Sequence, residues 1–232
     1  METVQANLQS DIHQFIMQKN YPCIAAIKSV QKEEYIIRTY GDFGQALFWR
    51  ELRQDLQFFL AEQKRTGSTY LTFWAIFEGQ TKFSEEDFES GLWNELSHLS
   101  SFEKMNEDWT DPELARPENP GFCLSIDGQA FFVVGLHPQS SREARRFAKP
   151  ALVFNSIEQF KKLEREGKYE PLKAVIRQRE IAMQGSVNPM VLKHGDQWES
   201  IQFSGKNNTE KWKCPFHFIK DNDNKPENQT LS

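Results

Sequence analysis

Cysteine is scarce in this chain of 232 residues: Cys23, Cys123 and Cys214 are the only three. An odd number, widely spaced and without a C-x-x-C pair, excludes a disulfide framework and a zinc ribbon. Long apolar runs are missing too. No stretch approaches the ~20 residues that a membrane helix needs. The opening METVQANLQSDIHQF lacks the basic start and apolar centre of a signal peptide, so the expected location is the cytoplasm. There is no excess of basic residues: 28 Lys and Arg face 33 Asp and Glu, for a net charge of -5. Such a balance gives no support for a nucleic-acid partner, which calls for a basic stripe. The five histidines show no H-x-H or H-E-x-x-H spacing, which counts against a mononuclear iron or zinc hydrolase. No internal repeat occurs, and no Pro/Gly/Ser linker divides residues 1–218.

Aromatic side chains are plentiful. They make up 13% of the chain, with 19 phenylalanines and 6 tryptophans. That favours a packed core with flat-walled pockets, and the length is ample for one. Periodicity predicts helices over 3–19, 46–63, 84–99, 156–165 and 171–183. Extended segments are expected at 23–30, 34–40, 70–77, 122–126, 130–136 and 151–154. The first two are read as a hairpin across Gln31–Glu33. A second hairpin is expected at Asp127-Gly128, the strongest short turn signal in the chain. Ser84 and Asp87 match a capping box. Residues 108–120 read as a loop. The chemistry of these elements points to an α+β class: one domain over 1–218, with a mixed, mainly antiparallel sheet flanked by helices. A polar tail over 219–232 is expected to be disordered.

One stretch concentrates chemistry. Gly135 to Pro150, GLHPQSSREARRFAKP, follows the apolar segment Ala130–Val134. It brings His137, Ser140, Ser141, Arg142, Arg145 and Arg146 to the end of a strand, where sites are commonly built. Arginine forks bind anionic oxygens in pairs, and an imidazole is a natural metal ligand. Cys214, in WKCPFHF, is a second isolated candidate, shielded by Trp212 and Phe216. Zinc wants three or four protein ligands. Haem iron wants one, with flat walls and a cationic anchor for its propionates. The plainer alternative is a helix start capped by Ser140 or Ser141. The arginines would then sit on a solvated face, paired to Glu143, Glu158 or the acidic residues at 85–89.

Several segments together resemble the YqcI/YcgG family: FFVVGLHPQSSREARRFAKPALVFNSIEQFKKL, IRQREIAMQGSVNPMVLKHGDQWESIQFSG, WKCPF, YPCIAAIKS, FEG at 77–79 and FESGLWNEL at 88–96. The resemblance runs from about Tyr21 to Phe216. The family includes haem-dependent N-hydroxylases. It therefore implies haem b with its iron, O2, an external electron donor and a small amine or guanidine substrate of arginine or lysine type. The non-catalytic alternative is a haem or small-ligand binding protein of the same fold, and a third is a domain that kept the fold without any metal.

On the matching residues, His137 or Cys214 would hold the iron, with His137 ahead because it shares a segment with the anchor. Ser141, Arg142, Arg145 and Arg146 would bind the cofactor. Acidic residues, Glu78 and Glu199 first and Glu89 beside them, would meet the cationic substrate head. Three positions depart from the family pattern, where Ile157, Ile201 and Phe203 stand in place of a histidine, an arginine and a tyrosine. A homodimer is an open expectation.

Overall fold

The computed structural model describes residues 2–79, 81–100, 116–117, 122–187, 200–209 and 211–219. Among these residues, five strands form one mixed sheet: β1 (Tyr35–Tyr40), β2 (Thr72–Phe77), β3 (Leu124–Ile126), β4 (Gln129–Leu136) and β5 (Ala151–Ser156). Their order is β1-β2-β5-β4-β3. The β1–β2 pair is parallel, and the other three are antiparallel. Six helices among the described residues flank the sheet: α1 (Glu2–Ile16), α2 (Ile24–Gln31), α3 (Trp49–Thr66), α4 (Glu85–Leu99), α5 (Ile157–Arg165) and α6 (Tyr169–Gln184). The architecture is α+β, and among the described residues no helix is long and apolar enough to cross a membrane.

All six residues of β2 are buried, as a strand covered on both faces requires. Phe73, Ala75 and Phe77 pack with Leu152 and Phe154 of β5 against α3 and α4. The alternate residues Trp74, Ile76 and Val153 pack on the opposite face with Leu8, Ile12 and Ile16 of α1. This is the period-two division of a strand between two layers. α3 supplies the crossover that parallel strands need.

Local chemistry sets the element ends. Ser84 accepts from the Asp87 amide, and the Asp87 carboxylate accepts from the Ser84 amide, so the expected capping box closes α4. Asp127 and Gly128 have φ of 49° and 71°, the left-handed pair that a two-residue hairpin of type I′ demands. Gly167 and Gly185 follow α5 and α6 in the left-handed region, with φ of 67° and 78°.

Two expectations are corrected. Residues 24–31 form α2 rather than a strand hairpinned to β1, and β1 pairs with β2 instead. The Cys23 sulfur accepts from the Ala26 amide and caps the helix, a role that sulfur takes weakly and that sequence reading assigns to Ser, Thr, Asp or Asn. The helix expected from Ala46 begins at Trp49. Ala46 sits at φ 52°, and its amide is claimed by Glu95. The loop expected at 108–120 lies outside the described residues apart from Arg116 and Pro117, and so does the tail beyond Ile219.

Candidate functional site

Strand β4 ends at Leu136 and hands the chain to His137. Gly135, one residue earlier, leaves room for its neighbours: a Cβ there would stand 2.7 Å from Phe88 Cε1 and 2.9 Å from the Phe203 carbonyl. Its amide donates to that same carbonyl at 2.8 Å. The backbone of 200–204 is thereby fixed along the end of β4, and α4 closes over it.

His137 is 1% exposed, and its ring stacks on Phe88 of α4, with centroids 4.2 Å apart. Nδ1 is buried with no hydrogen-bond partner among the described residues. Burial pushes the imidazole down to about 4, opposed by the Glu85 charge and assisted by the Arg145 charge. It is therefore neutral at physiological pH, the form in which imidazole binds metals.

The three arginines diverge. Residues 143–145 form a single 3-10 turn, not the start of an α-helix. Arg145 Nη1 donates to the carbonyls of Gly135 and Phe203, and Nη2 to that of Gln202. Its planar fork pins the turn to β4 and the 200–204 segment. Arg142 is buried and pairs with Glu180 of α6 at 3.4 Å. Arg146 is exposed and donates to the Ser140 carbonyl. Ser141 is exposed and held by Glu85, to which it donates through both its amide and its hydroxyl. Among the described residues, none of the three arginines forms an ion pair with Glu143, Glu158 or residues 85–89.

The acidic candidates also separate. Glu78 pairs with Lys149 at 2.9 Å, with both side chains at least a third open to solvent or nearly so. Glu89 is buried in a closed network, accepting from Ser204, Asn208, Trp212 and Lys206. Glu199 and His194 lie outside the described residues. Cys214 packs beside the core cluster on the α3/α4 side of the sheet.

On the other face of the sheet lies a cavity of about 250 Å³. Trp74, Val134 and Val153 contribute its apolar floor, and Phe132 and Phe160 its aromatic edge. α2 contributes Ala26 and the capping Cys23, while α6 contributes Lys173, Arg177 and Glu180. Arg142 and Arg145 reach it from the 3-10 turn, and Tyr21 from the segment before α2. Burial raises the Cys23 thiol and the Tyr21 phenol above their ordinary ranges, so both are protonated at neutral pH. The Tyr21 hydroxyl donates to the Ala144 carbonyl at 3.3 Å.

The cavity can be tested against haem. Neither His137 nor Cys214 lines it. An apolar cavity of about 150 Å³ holds benzene, so 250 Å³ suits a molecule of amino-acid size rather than a macrocycle. Arg145 has its donors on carbonyls and Arg142 has a carboxylate beside it. The described residues therefore do not bring ligand, anchor and open space together, and haem does not fit this cavity with those ligands. Among the described residues no group of three or more His, Cys, Asp or Glu is placed to hold a metal ion.

Ile157 opens α5 and Ile201 sits in a short 3-10 turn at 200–202, and both are buried. Phe203 is fully buried, stacked on Trp93 with centroids 5.6 Å apart. The three departing positions thus carry apolar packing. Sequence reading missed Glu180, Tyr21 and Cys23. The signal for Glu180 was present: residues 169, 173, 176, 177 and 180 fall on one helical face and all line the cavity.

The YqcI/YcgG family model matches residues 12–217. No curated protein and no solved structure matches the chain.

Proposed function

The chain belongs to the YqcI/YcgG family, and on that footing we propose that it binds a small amine- or guanidine-bearing molecule in the cavity beneath α6. The observation that carries the reading is the cavity itself: apolar below and ionic above, where the Arg142–Glu180 pair meets it. A cationic head would take Glu180 as its partner. Arg177, and Lys173 with its partner Glu170, bring cationic groups to the same wall, so a ligand that also carries a carboxylate is favoured over a bare amine. The Trp74 and Val153 floor removes the apolar stem from water. Small-molecule sites are commonly of this kind, apolar with a few placed polar groups. A cytoplasmic location accords with three cysteines that form no disulfide.

Thermal melting of the full chain with arginine and with lysine as probes tests the reading. A ligand that binds only the folded state raises the melting temperature by mass action. Glu180→Gln is expected to weaken the effect about tenfold, the scale of one charge-assisted contact. If neither probe moves the melting curve at millimolar concentration, the reading falls.

A second reading is the haem-dependent N-hydroxylase, with O2 and an external electron donor, that the resemblance implies. One observation favours it: His137 is a neutral imidazole whose Nδ1 has no partner among the described residues, a donor of the type iron takes. The test is a hemin titration of the full chain, read in the Soret region and compared with His137→Phe and Cys214→Ser. Stoichiometric uptake lost in one of these variants supports it. A chain that takes up no hemin rules it out. Absorption of the reduced, carbon monoxide-bound form separates a thiolate from an imidazole ligand.

A further inference from the structure

α6 is packed unlike the other long helices. It runs for 16 residues and none of them is buried. α3 buries Trp49, Leu52, Leu56 and Phe59, and α1 buries Leu8, Ile12 and Ile16. The inward face of α6 carries Tyr169, Lys173, Ile176, Arg177 and Glu180, and these line the cavity. Apart from Met183, which packs half-buried against the apolar cluster of α1 and the sheet, the helix covers a space instead of completing a core. Its outward face leaves Val175 and Ile181 exposed.

Both ends of α6 are marked by glycine in the left-handed region. Gly167 precedes it and Gly185 ends it. Nothing lies within 4 Å of the place a Cβ would occupy at either one. Such positions absorb backbone rotation at little steric cost. Between them, the C-terminal half of α6 is fastened by polar contacts. Gln184 accepts from the Glu143 amide at 2.7 Å and donates to the Ser141 carbonyl at 3.1 Å. Arg179 donates to the Tyr21 carbonyl at 3.1 Å. Arg142 reaches Glu180 and the Ser186 carbonyl at 3.4 and 3.5 Å. Polar contacts of this kind exchange readily for water, whereas buried apolar area does not. Segments with few buried apolar contacts open first.

We propose that α6 is a hinged cover of the cavity, turning about Gly167 and Gly185 and latched by Gln184 and Arg179. This inference deepens the ligand-binding reading above and rests on it. Opening gives a ligand entry from the side of the 3-10 turn. Closing excludes water from the ionic wall, where the low dielectric strengthens its contacts. Ligand binding would shift the population towards the closed form.

The experiment needs no ligand, so the cover and the binding reading fail separately. Cys23 lines the cavity, and Cys123 is buried beside the β3–β4 hairpin. The full chain is treated with fluorescein maleimide, and each cysteine's modification rate is read by peptide mass spectrometry. Gln184→Ala removes two hydrogen bonds and lies outside the cavity lining. It is expected to raise the rate at Cys23 about tenfold, the scale of those bonds. Arg179→Ala is expected to raise it several-fold, and the double variant further. Cys123 stays slow throughout, which shows that the fold is intact. Equal Cys23 rates in all four proteins overturn the proposal. So does a rise at Cys23 that is matched at Cys123, because that is global unfolding.

Discussion

The imidazole of His137 lies nearly parallel to the ring of Phe88, 19° off plane, where Nδ1 finds no hydrogen-bond partner among the described residues and the Glu85 charge does not outweigh the burial. A protonated ring there would carry its charge into the core. The folded value of about 4 lies below the ordinary 6.5, so the unfolded chain binds the proton more readily. The stability tied to a neutral His137 is whole above pH 6.5. It is lost as the pH falls from 6.5 to 4, by about 3 kcal/mol at 1.36 kcal/mol per unit.

Glu95 has the opposite sense. It is 1% exposed and accepts from the amides of Gly44 and Ala46. Burial raises it to about 7 against those two donors. Its stabilising, protonated form is fully present below pH 4.5, and the contribution is lost as the pH rises to 7. The size is again about 3 kcal/mol. The two slopes offset each other between pH 4.5 and 6.5. Glu95→Gln should therefore leave a protein that weakens steeply towards acid, and His137→Phe one that strengthens towards acid. Urea denaturation at half-unit steps between pH 4.5 and 7.5 reads both slopes. Parallel curves for the two variants would show that these groups do not control the profile.

The sequence and the structure agree wherever one local rule decides. The Ser84–Asp87 box, the Asp127-Gly128 turn and the glycines that end α5 and α6 each depend on residues within four positions. The site was less legible because it depends on long-range pairing. Arg145 shares a sequence motif with His137, yet its fork serves carbonyls at 135, 202 and 203. Glu180 becomes a site residue only because α6 lies over the face of the sheet that carries Trp74. The spacing of 169, 173, 176, 177 and 180 marks one helical face, but not what that face lies over. Cys23 shows another limit, since a helix capped by sulfur reads as an extended segment after proline.

Glu89 fastens the C-terminal segment to α4. Its carboxylate accepts from the Ser204 hydroxyl, the Asn208 amide and the Trp212 indole, with Lys206 alongside. Removing it takes the acceptor from three buried or half-buried donors, Ser204, Asn208 and Trp212, while Lys206 keeps Glu86 as a partner. Glu89→Ala should cost about 3 kcal/mol, read by urea denaturation. Trypsin should also cut after Lys206, Lys211 and Lys213 sooner than in the parent. A cost below about 1 kcal/mol, the scale of an exposed ion pair, would mean the network is incidental.

Filling the cavity separates stability from binding. Ala26 lies on α2 with its side chain on the cavity wall. Leucine is a good helix former and adds three carbons to the void. At ~0.8 kcal/mol for each buried CH₂, less the cost of ordering the side chain, Ala26→Leu should stabilise the fold by about 1 kcal/mol. For a chain of this length that is a rise of roughly 2–4 °C in Tm. The same carbons occupy space that an amino-acid-sized ligand needs. The shift produced by arginine or lysine should fall at least tenfold in the stabilised protein. Higher stability with undiminished binding would place the ligand elsewhere, because a packed void cannot also be a filled site.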